Sequence, residues 1–361
     1  MDSCVALRMI LPNFALMNKI ILLSAVLFML LSCGRKSEDK EAFRVEVMNK
    51  ITPVKDQGNS SLCWVYAMLA TIESECLMKG DSVNLSAAYV ARNLMRRQAE
   101  RCYLTQGRSG FTTRGVAPRL IHMILDSGLM PYDSYRSECN FNVLCRKLDT
   151  LCRNAVGRRT GLDALMRSTD SMLDDVINPV PLHVWMLGAE YTPQQFARSV
   201  CRDDEYQALT SFTHMPFYED VVLDVPDNRY GDKFYNVPID TMMDRIESAL
   251  RRGHSVCWEG DITEPGFSFE RGVARLRDNR SMASQDERQR SFETFRTTDD
   301  HCMELIGIAR DREGDRYFIC KNSWGTGNPY GGLMFMSEAY ARLKTVAAVV
   351  PVDTADLRRI R

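Results

Sequence analysis

The feature of this sequence that most constrains its fold is a change of pattern along the chain. Apolar residues recur at helical spacing in residues 63 to 78, 86 to 98 and 116 to 126, and further amphipathic segments follow between residues 148 and 207. From about residue 254 onward, short runs rich in Ile, Phe, Tyr and Met are bounded by glycine and aspartate, which is typical of β-strands. The sequence therefore predicts an α+β fold in which a helical half precedes a sheet half.

Local signals give the main elements of each half. The first helix is predicted to be amphipathic because its apolar residues share one face: Val65, Met68, Leu69, Ile72 and Cys76. The third helix is predicted to end at Gly128, a residue that favours a left-handed cap. In the sheet half, a helix ends at Gly253 and the segment HSVCWEGD follows as a strand. The runs HCMELIGIA, YFICKNSWG and GGLMFMS predict three consecutive antiparallel strands.

The first 32 residues have the composition of an export signal. Lys19 precedes an apolar run of 12 residues, from 20 to 31, and Ser32 and Cys33 follow. A membrane-spanning helix needs about 20 apolar residues, so the short run predicts a secretory signal. The alternative is a membrane anchor that is not cleaved. The ending LLSC resembles a bacterial lipoprotein signal, which implies that Cys33 carries a lipid. We therefore expect an exported protein, anchored by that lipid in the bacterial cell envelope at one face of the outer membrane.

Charge and cysteine spacing exclude several classes of ligand. The formal net charge is −1 at pH 7 with acidic and basic residues interleaved, so nucleic acid is not an expected partner. No cysteine spacing resembles a zinc site, and we expect neither a metal nor another cofactor. Four of the 12 cysteines lie in apolar runs and are predicted core residues: Cys76, Cys257, Cys302 and Cys320. Five others are predicted to lie in loops or polar surroundings, where they could pair: Cys102, Cys139, Cys145, Cys152 and Cys201.

Cys63 is the candidate nucleophile because it stands at the predicted start of a helix. A free thiol has a pKa of about 8.5 and is mostly protonated at neutral pH, but a helix N-terminus and a neighbouring imidazolium can lower that pKa. The alternative is that Cys63 is another buried core cysteine. Gln57 stands six residues earlier, where its amide could stabilise the oxyanion that forms during acyl transfer.

His301 is the candidate base. It precedes a predicted strand, and Asn322 lies 21 positions later on the next strand. Two antiparallel strands joined by a tight turn bring their outer ends together, so the two residues are expected to meet. Asn322 would then orient the imidazole ring, which leaves the other ring nitrogen free to face a thiol.

Three motifs, PVKDQGNSSLCWVYA, DDHCMELIGI and YFICKNSWGTGNPYGGLMFM, resemble those of papain-like cysteine peptidases over residues 51 to 350. The segments LTSFTHMPFYEDVVLDVPDN and SVCWEGDITEPGF narrow the resemblance to the bleomycin hydrolase and aminopeptidase C branch. Ser60 agrees with that branch, because it replaces a disulfide cysteine of many secreted relatives. The resemblance implies these roles: Cys63 as nucleophile, His301 as general base and acid, Asn322 as orienter, Gln57 as oxyanion donor, Trp324 as a shield for the His–Asn pair and Gly110 at the border of the substrate cleft.

The resemblance also implies a division of the chain and a class of substrate. The expected parts are a signal peptide (1–32), a linker (33–50), a helical subdomain (51–145), a helical insertion (146–207), a β-rich subdomain (208–350) and a tail (351–361). Peptides are the expected substrates, and relatives assemble into hexameric rings, although no feature here predicts a homo-oligomer.

The main hypothesis is a cysteine aminopeptidase. In relatives the carboxy-terminus lies in the cleft and selects free amines, so the carboxylate of Arg361 could do the same here, although the tail PVDTADLRRIR is unlike theirs. The alternatives are an endopeptidase, a catalytically silent binding lipoprotein on the same scaffold, and another enzyme that uses a cysteine acyl-enzyme.

Overall fold

The coordinates are a computed structural model that describes residues 40–186, 188–202 and 204–352. The predicted signal peptide with Cys33 and the tail residues from 353 onward lie outside these ranges. Among the described residues, no helix combines the length and the apolar character needed to span a membrane.

The described strands form a large sheet of 11 strands and a separate two-stranded hairpin. The order in the large sheet is β5-β6-β4-β13-β7-β10-β11-β12-β9-β8, and β1 pairs with β10 outside this path. Most neighbours are antiparallel, whereas β4–β6 and β9–β12 are parallel. The strands are β1 Arg44–Met48, β2 Val184–Met186, β3 Ala189–Tyr191, β4 Tyr206–Thr210, β5 Asp220–Val222, β6 Lys233–Asn236, β7 Val256–Gly260, β8 Phe267–Ser268, β9 Val273–Ala274, β10 His301–Arg310, β11 Arg316–Lys321, β12 Leu333–Ser337 and β13 Thr345–Pro351.

Six of the nine helices in the described ranges precede the main run of strands, which confirms the predicted α+β order. Helices α4 and α5 pack against α2, and the hairpin β2–β3 leads into α6. The three runs predicted as consecutive strands are β10, β11 and β12, each antiparallel to the next. The helices are α1 Cys63–Lys79, α2 Ala87–Leu104, α3 Ala117–Ser127, α4 Phe141–Arg158, α5 Leu162–Val176, α6 Pro193–Val200, α7 Ile239–Arg251, α8 Gln285–Glu293 and α9 Glu338–Lys344.

Helix α1 is enclosed by both halves of the molecule. Its residues from Cys63 to Cys76 are buried except Tyr66, which is half-buried. Strands β7 and β10 pack on one side of α1, and helices α2 and α3 pack on the other. The predicted amphipathic pattern was therefore wrong, because the helix has no face that remains in water.

The helix ends show what the glycines contribute. Helix α3 stops before Gly128, as predicted, and α7 ends just before Gly253, whose φ is 94°. Gly128 has a φ of 79° but a ψ of −165°, so it is not the predicted left-handed helical cap. A Cβ atom there would lie 2.4 Å from the carbonyl carbon of Pro193, so close backbone packing also requires glycine.

A buried polar network joins α1 to the sheet. Thr52 Oγ1 donates to Glu73 Oε2 over 2.5 Å and accepts from Lys321 Nζ over 2.9 Å. Ser74 Oγ donates to Glu304 Oε1 over 2.5 Å, and Lys321 lies 3.4 Å from the other oxygen of that carboxylate. Loss of one partner would leave a buried charge uncompensated, which is strongly destabilising. The network therefore fixes α1 against β10 and β11.

None of the described cysteines forms a disulfide, and the predicted surroundings were wrong for four of the five cysteines, whereas Cys139 lies in a loop as predicted. Cys102, Cys145, Cys152 and Cys201 are buried, and only Cys139 is half-buried. Two of these thiols, of Cys102 and Cys152, are hydrogen-bonded to each other. The buried residues looked polar in sequence because charged neighbours flank them, but Cys102, Cys145 and Cys152 are buried within their helices and Cys201 is buried directly after α6.

Candidate active site

Cys63 is the first residue of α1, and the preceding loop is held in place from two sides. Leu62 at the N-cap position provides no side-chain cap for the first N–H groups of the helix. Gly58 adopts a φ of 57° in the turn before it, and the Ser61 N–H donates to Thr113 Oγ1 over 3.0 Å. The thiol of Cys63 thus lies at the positive end of the helix dipole, in a residue that is 9% exposed.

His301 and Asn322 meet at one edge of the β10–β11 pair. His301 begins β10, and Asn322 directly follows β11. His301 Nε2 lies 2.8 Å from Asn322 Oδ1, which also accepts the Ser323 N–H over 2.7 Å. The imidazole of His301 also interacts with the thiol of Cys63 and lowers its pKa. Since Nε2 faces the asparagine, Nδ1 is the nitrogen available to the thiol.

The thiol of Cys63 has a second neighbour, Cys302. Its hydrogen bond to Cys63 contributes most to lowering the pKa of Cys63 well below the ordinary value, although burial opposes the shift. The hydrogen bond and the positive charge of His301 lower that pKa further. The pKa of Cys302 itself is raised well above its ordinary value, by burial and by the bond to Cys63. The arrangement therefore favours a thiolate on Cys63 and a neutral thiol on Cys302.

Trp324 covers the histidine. Its ring centroid lies 4.7 Å from that of His301, and the two ring planes are tilted by 36°. Phe267 and Phe269 contact the indole edge-on, at 6.0 and 5.4 Å between centroids. The indole therefore lies against the imidazole, and its role as a shield stays a prediction.

Gln57 bridges the loop before Cys63 and the segment after Asn322. Its amide nitrogen donates to the Ser60 carbonyl over 2.7 Å, and its amide oxygen accepts from Ser323 Oγ over 2.6 Å. The backbone N–H of Gln57 donates to the Ser323 carbonyl over 2.8 Å. These bonds fix the amide against the loop that leads to the candidate nucleophile, and its role as an oxyanion donor stays a prediction.

Gly110 lines a cavity of about 670 Å³ together with Ser61, which lies two residues before Cys63. The same cavity is lined by Phe111, by Thr113 and by residues of α4. A place for Gly110 at the border of a substrate cleft stays a prediction.

Three carboxyl groups near Cys63 were not predicted. Asp227 accepts from Arg114 Nε over 2.5 Å, and its backbone N–H donates to Asp299 Oδ2 over 3.0 Å. Burial raises the pKa of Asp227 to about 6, and burial also raises the pKa values of Asp299 and Glu259. The charge of Cys63 adds to the shifts of Asp227 and Glu259, so these groups lie within its electrostatic range. In the sequence, the motif TTDDH could have indicated a carboxyl group near the site, because it places Asp299 two residues before His301.

Solved structures share this architecture. A crystal structure of PepW from Lactobacillus rhamnosis HN001 has a TM-score of 0.67 at 16% identity, over 98% of this chain and 95% of that chain. The chain has the papain-like fold. In this papain-like arrangement the helical half carries Cys63 and the antiparallel sheet carries His301 and Asn322.

Other similarities are weaker. Procathepsin L 3 from the larval midgut of Tenebrio molitor has a TM-score of 0.42 at 16% identity, over 88% of this chain and 72% of that chain. The bromelain protease from Ananas comosus, in complex with E64, has a TM-score of 0.38 at 15% identity, over 84% of this chain and 94% of that chain. These scores are too low to support further comparison. No family model and no curated protein sequence matches the chain.

Proposed function

We propose that the protein is a cysteine-type peptidase that hydrolyses peptide bonds through an acyl-enzyme on Cys63. The observation that carries this proposal is the arrangement of three side chains, in which His301 lowers the pKa of Cys63 and its Nε2 lies 2.8 Å from Asn322 Oδ1. A nucleophile, a base and a group that orients the base are the parts that covalent acyl transfer requires. All three side chains are buried and fixed by neighbouring contacts.

We propose a role for each residue of this arrangement. His301 takes the thiol proton, and Cys63 Sγ attacks the carbonyl carbon to form a tetrahedral adduct. The amide N–H₂ of Gln57 and the backbone N–H of Cys63 stabilise its oxyanion. His301 then gives its proton to the leaving amine, and a thioester to Cys63 remains. Water, deprotonated by His301, hydrolyses this thioester and regenerates the thiol.

Within this activity we propose aminopeptidase specificity. A free substrate amine is positively charged, and it binds best where fixed negative charge is present. Asp227 lies within electrostatic range of Cys63 and has a pKa of about 6, so it is charged at neutral pH, and Asp299 accepts its backbone N–H; Arg114 is the cation paired with Asp227. These carboxyl groups offer an anchor for the amine that does not depend on the chain terminus.

Cysteine labelling tests the peptidase proposal. Iodoacetamide or an epoxide probe at mildly acidic pH should label Cys63 stoichiometrically, and Cys63→Ala should abolish peptidase activity. Cys139→Ala is the matched control, because Cys139 is a half-buried free thiol whose pKa is raised by burial. Peptidase activity that survives Cys63→Ala contradicts the proposal, and a folded protein that neither labels nor cleaves a peptide library indicates a silent binding scaffold.

Paired peptides test the specificity. A peptide with a free amino-terminus should be trimmed, and its N-acetylated counterpart should be left intact. Because the pKa of Asp227 is about 6, the carboxylate loses its charge as the pH falls below that value, so KM for the free peptide should rise there. Asp227→Asn should raise KM at neutral pH, whereas deletion of residues 353–361 should not. Internal cleavage of the acetylated peptide would instead indicate an endopeptidase.

We also propose that the protein is exported and held in the cell envelope by a lipid on Cys33. The support is the apolar run followed by LLSC in the sequence. Mass spectrometry of the mature amino-terminus should find a lipidated Cys33, and Cys33→Ala should release the protein from the membrane fraction. An unmodified Cys33 in a membrane-bound protein would favour an uncleaved anchor.

A further inference from the structure

An ion pair between Arg114 and Asp227 joins the two halves of the molecule beside Cys63. Arg114 lies in the segment that precedes α3, and Asp227 lies in the segment between β5 and β6. Arg114 Nε is 2.5 Å from Asp227 Oδ1, and the two side chains are 49% and 13% exposed. Burial raises the pKa of Asp227 to about 6 and the charge of Cys63 adds to the shift, so the pair lies within electrostatic range of the thiol. The pair therefore links the halves at the surface, near the candidate nucleophile.

On the helical side, Thr113 fixes the backbone next to Arg114 against the residues around Cys63. Thr113 Oγ1 accepts the Ser61 N–H over 3.0 Å, and the Thr113 carbonyl accepts the indole N–H of Trp64 over 2.9 Å. Thr113 is buried, so these bonds are shielded from water. Because Ser61 and Trp64 lie two residues before and one residue after Cys63, the backbone of Arg114 has a fixed position relative to the thiol.

On the sheet side, Asp227 is fixed to the segment that leads into His301. The Asp227 N–H donates over 3.0 Å to Oδ2 of Asp299, which lies two residues before His301. The Asp227 carbonyl accepts the Arg229 N–H over 2.9 Å, and the Arg229 carbonyl accepts from Arg101 Nη1 of α2 over 3.2 Å. The segment that carries Asp227 is thus held both to the candidate base and to the helical half.

These contacts form a closed path on one side of the candidate nucleophile. The path runs from the loop of Cys63 through Arg114 and Asp227 to the segment before His301. Arg114 also lines the cavity of about 670 Å³ that contains Ser61 in its wall, and every residue of that wall belongs to the helical half. The side chain of Arg114 therefore reaches from this cavity across to the sheet half.

We propose that the Arg114–Asp227 ion pair is a barrier across the substrate cleft on the amino-terminal side of the scissile bond. This inference rests on the proposed function, in which Asp227 binds the free amine of the substrate. A peptide that continued beyond the amine would have to break an ion pair whose backbone is fixed at both ends. The pair thus selects peptides with a free, unextended amino-terminus, because it obstructs blocked or longer chains as well as attracting the amine.

Two probes of Cys63 that differ in size test this barrier. Iodoacetamide is small and should label the wild-type protein, whereas an N-acetylated peptidyl epoxide should not. Arg114→Ala should gain labelling by the epoxide and internal cleavage of an N-acetylated peptide, and the fold should be kept because exposed ion pairs contribute little to stability. Arg96→Ala is the matched control, since it removes an ion pair to Asp170 within the helical half from a side chain that is 51% exposed. This control should gain neither property.

A charge swap separates the barrier from the amine anchor. A protein that carries both Arg114→Asp and Asp227→Arg keeps an ion pair across the cleft but places a cation where the amine is proposed to bind. It should exclude the acetylated epoxide as the wild type does, whereas KM for a free peptide should rise because like charges repel. Arg114→Lys keeps the original ion pair and should behave as the wild type with both probes.

Three outcomes would overturn this inference. The first is labelling of the wild-type protein by the acetylated epoxide, and the second is an Arg114→Ala protein that still excludes the epoxide. The third is an equal gain of labelling in Arg96→Ala, which would indicate a loosened fold rather than an opened barrier. All three leave the peptidase proposal intact, whereas a wild-type protein in which iodoacetamide does not label Cys63 would contradict both proposals.

Discussion

This molecule has two pairs of neighbouring cysteines, and the pairs differ in how their thiol pKa values are shifted. Cys63 and Cys302 are hydrogen-bonded between the two halves, and Cys102 and Cys152 are hydrogen-bonded within the helical half. Burial raises thiol pKa values in both places. The pKa of Cys152 rises to about 12, whereas the pKa of Cys63 falls well below its ordinary value.

The difference comes from the surroundings of each pair. When a pair of neighbouring thiols loses one of its two protons, the remaining proton is shared by the sulfurs, and a third group decides which sulfur carries the negative charge. At Cys63 that group is His301, which adds a hydrogen bond and a positive charge, and the start of α1 adds its dipole. At Cys152 the next contributions are the charges of Cys102 and Asp149, which raise the pKa further. A buried thiol pair is therefore inert unless a cation selects one member.

The largest effect on peptidase activity is expected from the removal of His301, the group that favours a thiolate on Cys63. His301→Ala removes the base and the positive charge, so peptidase activity should fall by about 10² to 10⁴-fold. Alkylation of Cys63 at mildly acidic pH should slow in parallel, and Cys152 should stay unreactive. His183→Ala, at a side chain that is 51% exposed, is the control and should change neither rate. Activity that persists in His301→Ala would remove the histidine from the mechanism.

A smaller effect is expected at Asn322. Asn322→Ala removes the oxygen that holds His301 Nε2 at 2.8 Å, and a misplaced catalytic group typically costs about 100-fold in rate. Cys63 should still be alkylated, because the imidazole remains nearby. The ratio of kcat to alkylation rate is the readout, and an equal loss in both would indicate that Asn322 supports the fold rather than the ring orientation.

The substitution Cys302→Ala tests directly whether the neighbouring thiol lowers the pKa of Cys63. It removes the neutral thiol that contributes most to the low pKa of Cys63, so the acid limb of the pH–alkylation profile should move to higher pH. At mildly acidic pH, activity should fall by about tenfold, the value of one hydrogen bond to a charged group. Cys302→Ser, which restores a donor, should recover most of the loss. An unmoved profile would mean that His301 alone sets the thiolate.

The smallest effect on activity is expected at the second pair. Cys152→Ala deletes one buried sulfur atom in the contact between α2 and α4, so it should cost about 1 kcal/mol of unfolding free energy. Chemical denaturation measures this cost, and kcat per folded molecule should be unchanged. A change in kcat would show that the helical half transmits strain to Cys63.

The site was largely predictable because the sequence around each of its residues indicates the helix or strand on which that residue lies. Cys63 at a helix start, His301 before one strand and Asn322 after the next strand are each set by neighbouring sequence, and the antiparallel pairing follows from a short turn. The contribution of Cys302 was not predictable. It stands in an apolar run like Cys320, and only the packing of β10 on α1 brings its thiol to Cys63. The prediction of loops or polar surroundings was wrong for four of the five cysteines for the same reason, since charged neighbours in sequence do not report which side chains turn inward.

The sequence by itself determined the order of helices and strands and the pairing of His301 with Asn322, because hydrophobic periodicity, turns and helix starts act over short distances. The tertiary structure alone decided that α1 is buried on all sides and that Cys63 rather than Cys152 has a low pKa. These properties depend on groups from distant parts of the chain, whose electrostatic and packing energies exist only once the halves are in contact.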